Sequence, residues 1–403
     1  MTVDVLDFGC RLNIAEGATI GRLLDGWRSD VTVINGCAVT GEAVRQTAQA
    51  VRRARRDRPD AHIVVTGCAA QVDRQRFSAM PEVDLVLGNR EKLIAGNYAT
   101  RGVNVGDVMA PATRTLPVVS GHGQTRSFVE IQTGCDHRCT FCIIPFGRGD
   151  SSSVPATGVV EAIKAVVAAG QREVVLTGVD LTSYRPSLAV LVATILREVP
   201  SLPRLRLSSL DPAEIDEALF DLIAHEPRIM PHVHLSLQSG DPMILKRMKR
   251  RHTRAQAIAL VERLKTARPE IAIGADLIAG FPTETEAMHI NNATIVDACD
   301  IVFGHIFPYS SREGTPAARM PMVAADIAKA RARDLREVSA ARRRAWLSAL
   351  VGTTQHVLVE RSGTRGHAAN FALVALTAAR LPGTLTAVRI TASDGETLTG
   401  DPE

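Results

Sequence analysis

Cys135, Cys139 and Cys142 stand at C-x3-C-x2-C spacing inside TGCDHRCTFC, the stretch from Thr133 to Cys142. A closed structural zinc site takes four ligands, and no further Cys or His stands at the usual finger distance to complete this one. His137 lies inside the loop, where turning back onto the same ion looks awkward. The spacing suits a cubane iron–sulfur cluster gripped by three thiolates, with one iron left open for an exogenous ligand. Cys10, Cys37 and Cys68 repeat the arithmetic, each preceded by glycine at the end of a short apolar run: VDVLDFGC, VTVINGC and AHIVVTGC. The plain alternatives are a zinc knuckle for the first trio and unrelated core thiols for the second, since cysteine is often buried. Cys299, in VDACDIVF, has no partner in sequence and reads as a buried structural thiol.

The three Gly-Cys runs read as buried strands separated by helices such as the Thr40–Pro59 segment, where Thr40 can cap and Pro59 stops. Strand and helix alternation predicts a parallel sheet, and groups just past the carboxyl ends of its strands converge on one crevice. Three thiols about 30 residues apart in sequence thereby become neighbours. This α/β domain is expected over residues 1–112, ahead of a Pro, Gly and Thr rich connector from Gly106 to Ser127. Six further strand patterns start at Phe128, Glu173, Arg204, His232, Ile271 and Ile301, with helical patterns between them. They predict a partial (βα)6 barrel over residues 122–345, whose active face collects the loops after each strand. A basic helix runs from Ala324 to Leu350, and beyond Gly352 short alternating runs predict a small β-barrel domain over residues 346–403.

At 403 residues the chain exceeds one ordinary core, which favours several domains. Apolar residues make up 45%, and 47 Lys and Arg against 43 Asp and Glu leave a formal charge of +4. That balance is too mild to argue for a nucleic-acid partner, so such an argument must rest on where the cations cluster. The amino terminus lacks a basic region followed by a long apolar run, and no apolar stretch reaches about 18 residues, so a cytoplasmic protein without a membrane partner is expected. In that compartment the seven cysteines should be reduced thiols, which favours metal or redox chemistry.

The C-x3-C-x2-C spacing, with Phe141 just before the last cysteine, resembles the signature of the radical S-adenosylmethionine (SAM) superfamily. The whole layout resembles the methylthiotransferase family, on GCRLN at Gly9, INGCAVT at Ile34, VTGCAAQ at Val65, GCDHRCTFCIIPFGRG at Gly134, SLQSGDPMILKRMKRRHT at Ser236 and FPYSSREGTPAARMP at Phe307. The resemblance implies a radical SAM barrel and a C-terminal barrel of the TRAM type. It also implies SAM and two [4Fe-4S] clusters, one on Cys135, Cys139 and Cys142 and an auxiliary one on Cys10, Cys37 and Cys68. One SAM would methylate a sulfur on the auxiliary cluster. The other would give the radical that abstracts hydrogen from the target carbon. Family targets are a threonylcarbamoyl- or isopentenyl-adenosine beside the tRNA anticodon, at position 37, or an aspartate of a ribosomal protein. GCRLN, TGVDLTSY, LRLSSLDP and RRHTR are most similar to the branch that converts N6-threonylcarbamoyladenosine to its 2-methylthio form. The implied partners are the tRNA anticodon arm and an electron donor such as flavodoxin or ferredoxin.

The same resemblance places Thr177, Gly178 and Asp180, in LTGVD, against the methionine end of SAM, and makes Ser208 and Gln238 candidates for polar contacts. LKRMKRRHTR packs six cations into ten residues. With an RNA substrate implied, Lys246, Arg247, Lys249, Arg250 and Arg251 become candidate phosphate contacts. Aromatic residues are only 4% of the chain, so charge and shape rather than stacking should dominate RNA recognition. One departure from the family stands in RGDSSSVP, where Ser152 takes the place of a common arginine. A reading from another class is a non-catalytic, zinc-containing RNA-binding protein.

Overall fold

The computed structural model describes residues 3–27, 30–110, 117–120 and 125–403. Strands β1 (Val3–Asp7), β2 (Val31–Gly36), β3 (His62–Thr66), β4 (Leu85–Leu87) and β5 (Gly102–Asn104) form one parallel sheet in sequence order. The fully buried VTVING run of β2 fits its place between β1 and β3, because a strand covered on both faces has no polar side to offer water. Helices α1 (Arg11–Leu23) and α2 (Gly41–Asp57) make the first two crossovers. As the sequence predicts, Thr40 caps α2, its side chain accepting the Ala43 N–H at 3.1 Å. α2 buries Val44, Ala48 and Val51 and turns Arg45, Arg52, Arg53 and Arg56 to solvent. Cys10, Cys37 and Cys68 follow the ends of β1, β2 and β3.

The six expected strands of the central unit are all present, together with one short strand the sequence did not announce. In order they are β6 (Ser127–Thr133), β7 (Ser152–Ser153), β8 (Glu173–Gly178), β9 (Arg204–Leu207), β10 (His232–Gln238), β11 (Ala272–Ala279) and β12 (Ile301–Pro308). β6, β8 and β9 are parallel, and β7 adds antiparallel to β6 with Ser152 opposite Thr133. β10, β11 and β12 form a second parallel ladder. Single bridges at Leu205–Ile229 and Leu210–Leu235 join β9 to its continuation, so the barrel wall thins there. Residues such as Val129, Ile131, Leu176, Leu205, Leu235 and Leu277 pack outward against the helices as one apolar core. The alternate positions are thereby left to face inward.

The expected domain limits at residues 112 and 122 lie outside the described residues. The limit at 345/346 falls within the Ala325–Ala349 helix, whose Leu347 joins the core of the C-terminal barrel with Trp346 packed against it. That barrel closes through β13 (Thr354–Val359), β14 (Arg365–Ala368), β15 (Leu373–Leu376), β16 (Leu385–Ser393) and β17 (Leu398–Pro402), in the order 13-14-15-17-16. Closure leaves no edge strand to pair elsewhere. No helix among the described residues is long and apolar enough to cross a membrane.

Phe371 docks this barrel on the central unit. Its backbone is left-handed (φ +73°), and its ring lies 4.9 Å from that of His232 and 5.9 Å from that of Phe303. Arg206, Arg126 and Arg11 stand 5.1, 5.6 and 5.6 Å from the ring centroid, a cation–π cluster drawn from three segments. Arg206 also donates to Ala369 O at 2.8 Å and Ala368 O at 2.9 Å, with Glu173 as its counter-ion at 2.9 Å. Phe371→Ala should cost ~2–4 kcal/mol of stability. The check is a lowered melting temperature together with faster proteolytic release of the segment beyond Gly352.

Candidate active site

The C-x3-C-x2-C loop begins at Gly134, which has φ +72° and lies where a Cβ would overlap Asp150 O, so glycine is required. The loop is then tied down along its length. Cys135 N–H donates to Gly149 O at 3.1 Å, Thr140 N–H to Met248 O at 3.1 Å, and Ala317 N–H to Thr140 O at 2.9 Å. Phe141 packs edge-on to Phe281, with ring centroids 6.3 Å apart, among Met248, Ile244 and Ala317. The expected cofactor neighbour is thus also the apolar peg that seats the loop.

Burial and the nearby Cys139 push the Cys142 thiol up to about 11, and burial and the Asp180 carboxyl push Cys135 up as well. Thiols held up in this way ionise side by side only near a positive centre, which is what a metal supplies. Among the described residues, the groups compact enough to hold one ion are Cys135–His137–Asp180 and His234–Asp276–His305; neither thiol trio is among them. His137 is closer to Cys135 than the sequence reading allowed, their ligand atoms and that of Asp180 lying within 4.8 Å of one another. Its Nε2 lies 3.4 Å from Asp180 Oδ2 and 3.1 Å from Glu214 Oε1, and the hydrogen bond to Glu214 raises its pKa.

Gln132, which the sequence reading missed, clamps the next strand's loop to this one. Its Oε1 accepts from Val179 N at 3.0 Å and Asp180 N at 2.9 Å, while Nε2 donates to Gly134 O at 2.8 Å. Gly178 leaves room for this clamp, since a Cβ there would stand 2.9 Å from Gln132 Oε1 and 3.0 Å from the Gln132 carbonyl. Asp180 Oδ2 accepts from Cys135 Sγ at 3.6 Å; Thr177 is buried in β8. Ser208 is buried with no hydrogen-bond partner for its hydroxyl, an atom a bound ligand would satisfy. Gln238 takes φ +70° at the end of β10, a strained backbone of the kind that gathers at functional sites.

The second trio is assembled in the same way. Cys10, Cys37 and Cys68 interact electrostatically with one another, and burial pushes Cys37 up to about 12. Cys68 Sγ accepts from Arg148 Nε at 3.1 Å and Asn89 Nδ2 at 3.6 Å. Arg148, six residues after Cys142, makes a bidentate pair with Glu16 at 2.8 and 2.8 Å and donates to Asn13 Oδ1 at 2.8 Å. Lys92 closes the network, 2.7 Å from Glu16 and 2.8 Å from Asn89 Oδ1. The segment after the first trio is thereby bolted to the second. The donor sets fit thiolate-held clusters, because N–H groups aimed at sulfur stabilise its negative charge.

The basic segment divides. Lys246 and Lys249 are exposed, Arg247 reaches Thr283 O at 3.3 Å, and exposed Arg251 pairs with Glu214 at 2.5 Å. Arg250 corrects the sequence reading: its side chain is only 6% exposed, donating to Asp211 Oδ2 and Ser236 O at 2.7 Å each and to Cys139 Sγ at 3.5 Å. Buried and already paired, it is not free to meet an RNA phosphate. Cys299 is buried in the central core, as expected.

Residues 129–292 match the model of the Radical SAM superfamily, and residues 2–88 that of an uncharacterized protein family, UPF0004. The chain is 45% identical over 93% of its length to the threonylcarbamoyladenosine tRNA methylthiotransferase MtaB of Rickettsia prowazekii, covering 91% of that protein. The chain belongs to the radical SAM methylthiotransferase family. Similarity extends to MtaB of Aquifex aeolicus, at 36% identity over 89% of this chain and 93% of that one. A tRNA-2-methylthio-N(6)-dimethylallyladenosine synthase of Erythrobacter litoralis is 31% identical over 90% of this chain and 87% of its own. Among solved structures, the radical S-adenosylmethionine methyltransferase TsrM of Kitasatospora setae shares the fold, with TM-score 0.56 and 17% identity over 76% of this chain and 68% of that one. Radical SAM enzymes bind SAM and a [4Fe-4S] cluster, and methylthiotransferases carry a second cluster.

Two substitutions test this arrangement. Arg148→Gln removes the bidentate partner of the buried Glu16 carboxylate and should cost ~3–5 kcal/mol, read by urea unfolding. Burial holds Asp7, at the end of β1, up at about 6 despite the Asn35 hydrogen bond at 2.9 Å. Between roughly pH 4 and 6 the folded state therefore keeps a proton that the unfolded chain releases, and stability falls as pH rises through that window. Asp7→Asn should add ~1–3 kcal/mol at pH 7.5, allowing for partial exposure, and nothing below pH 4. Thermal melts at both pH values check it.

Proposed function

We propose that this methylthiotransferase acts on tRNA, converting N6-threonylcarbamoyladenosine beside the anticodon to 2-methylthio-N6-threonylcarbamoyladenosine. The observation that carries the reading is the pair of three-thiol sites joined through Arg148, in a chain whose relatives at 45% and 36% identity bear that activity in their names. When bound, the cluster at Cys135, Cys139 and Cys142 supplies the electron that cleaves SAM, and the one at Cys10, Cys37 and Cys68 supplies the sulfur.

The chain's own groups do the rest. Asp180, Ser208 and Gln238 offer polar contacts to SAM, and Gln132 holds the Asp180 loop in place. Arg250 and Arg148 each donate to one thiolate of their trio. Lys246 and Lys249, exposed on the segment that leads to Arg250, are the cations for the phosphates of an anticodon arm, with Arg247 and Arg251 beside them. A cytoplasmic flavodoxin or ferredoxin is the expected electron source.

Nucleosides from tRNA of a deletion strain should lack the 2-methylthio-threonylcarbamoyl form and regain it on complementation. Loss of the isopentenyl product instead, or of neither, sinks the reading. The reconstituted protein should carry about eight irons per chain, whereas zinc alone at these thiols would support a non-catalytic binder. Cys139→Ala should abolish SAM cleavage. Cys37→Ala should retain it in part while methylthiolation stops.

A further inference from the structure

Outside the two thiol sites, three adjacent parallel strands aim a second kind of donor set at one point. His234 on β10, Asp276 on β11 and His305 on β12 project from the inner face of the second ladder, with ligand atoms all within 4.8 Å of one another. The strand register places them there. Asp276 is paired directly with His305, and His234 with Gly274, two residues before Asp276 on the same face. Gly274 is the residue that makes room, since a Cβ there would stand 2.6 Å from His234 Nδ1.

Both imidazoles point at the same carboxylate oxygen. His234 Nε2 lies 3.1 Å and His305 Nδ1 3.4 Å from Asp276 Oδ1, and the two rings are 4.7 Å apart. Ligands 2.0–2.1 Å from a tetrahedral zinc stand about 3.3 Å from each other, so these spacings need little adjustment to grip an ion. His234 is 9% exposed and Asp276 24%, while His305, at 58%, opens onto a cavity of about 550 Å³ that Ser339 and Arg336 also line.

We propose that His234, Asp276 and His305 form a third metal site, mononuclear and distinct from both thiol trios, that takes a zinc-class divalent cation. Two imidazoles and one carboxylate are the donors of an open site, in which a fourth position is left for water or a ligand atom. The cavity beside His305 gives that position access. Nothing in this site depends on which nucleoside the enzyme modifies.

The test uses the enzyme with its iron–sulfur clusters already reconstituted, so that the six cluster thiols are occupied. After equilibration with Zn²⁺ and desalting, the protein should retain about one zinc per chain, and X-ray absorption at the zinc edge should show only nitrogen and oxygen scatterers at about 2.0–2.1 Å. His305→Ala, at the most exposed of the three positions, should lower zinc to background with iron content and circular dichroism unchanged. Asp276→Asn should do the same. Zinc at background in the wild type, zinc unchanged by both substitutions, or sulfur in its first shell would overturn the proposal.

Discussion

The carboxylate of Glu16, with no exposed surface, is shared by Lys92 and by both outer nitrogens of Arg148, and the relation of the two thiol sites depends on it. Removing three charges from water is expensive, and apolar packing of similar volume would stabilise a fold at least as well. What the ion network supplies is position. Arg148 cannot satisfy Glu16 and Asn13 without bringing its Nε to Cys68, and Lys92 cannot satisfy Glu16 without fixing Asn89, which also touches Cys68. Asn89 further donates to Gly147 O at 2.6 Å, a second tie between the N-terminal sheet and the segment after Cys142.

The same logic appears at the other trio in a smaller form. Arg250 is held by Asp211 and by a strand carbonyl, and its remaining reach ends on Cys139. Each site therefore has one buried guanidinium, fixed by one buried carboxylate, donating to one of its three sulfurs. Each guanidinium is held more firmly protonated than usual despite burial, because its carboxylate and thiol neighbours outweigh desolvation. A permanent cation is thus in place before any cluster arrives, and it offsets part of the charge that three thiolates bring together.

Much of this was legible in the sequence, for identifiable reasons. Gly-Cys endings after apolar runs located the second trio, because parallel strands collect their carboxyl ends. The six βα repeats and the closing barrel followed from strand periodicity. The polar clamps were not legible, since Glu16, Lys92 and Arg148 lie 76 and 132 residues apart and no local pattern pairs them. Asn13 and Arg148 were nevertheless inside the quoted GCRLN and FGRG stretches. Arg250 misled because six cations in ten residues look like one solvated face; the backbone turns left-handed at Lys249 (φ +57°), and the next side chain enters the site while its neighbours stay in water. β7 escaped notice because two serines carry no strand signal of their own; it is held by pairing with the end of β6.

The placement of Arg148 six residues beyond Cys142 has a mechanical consequence. Those residues form a single short turn, Ile144–Arg148, so any shift of the first trio's loop is carried almost rigidly to the guanidinium that contacts the second. The reverse also holds, because Gly147 lies against Cys68 and its carbonyl accepts from Asn89 at 2.6 Å, which ties the two segments together. Two sites on two domains are in this way one geometric unit, and the arginine that compensates charge at one is positioned by the chain that forms the other. A looser linker would let the two trios shift independently and would give up the fixed separation between them.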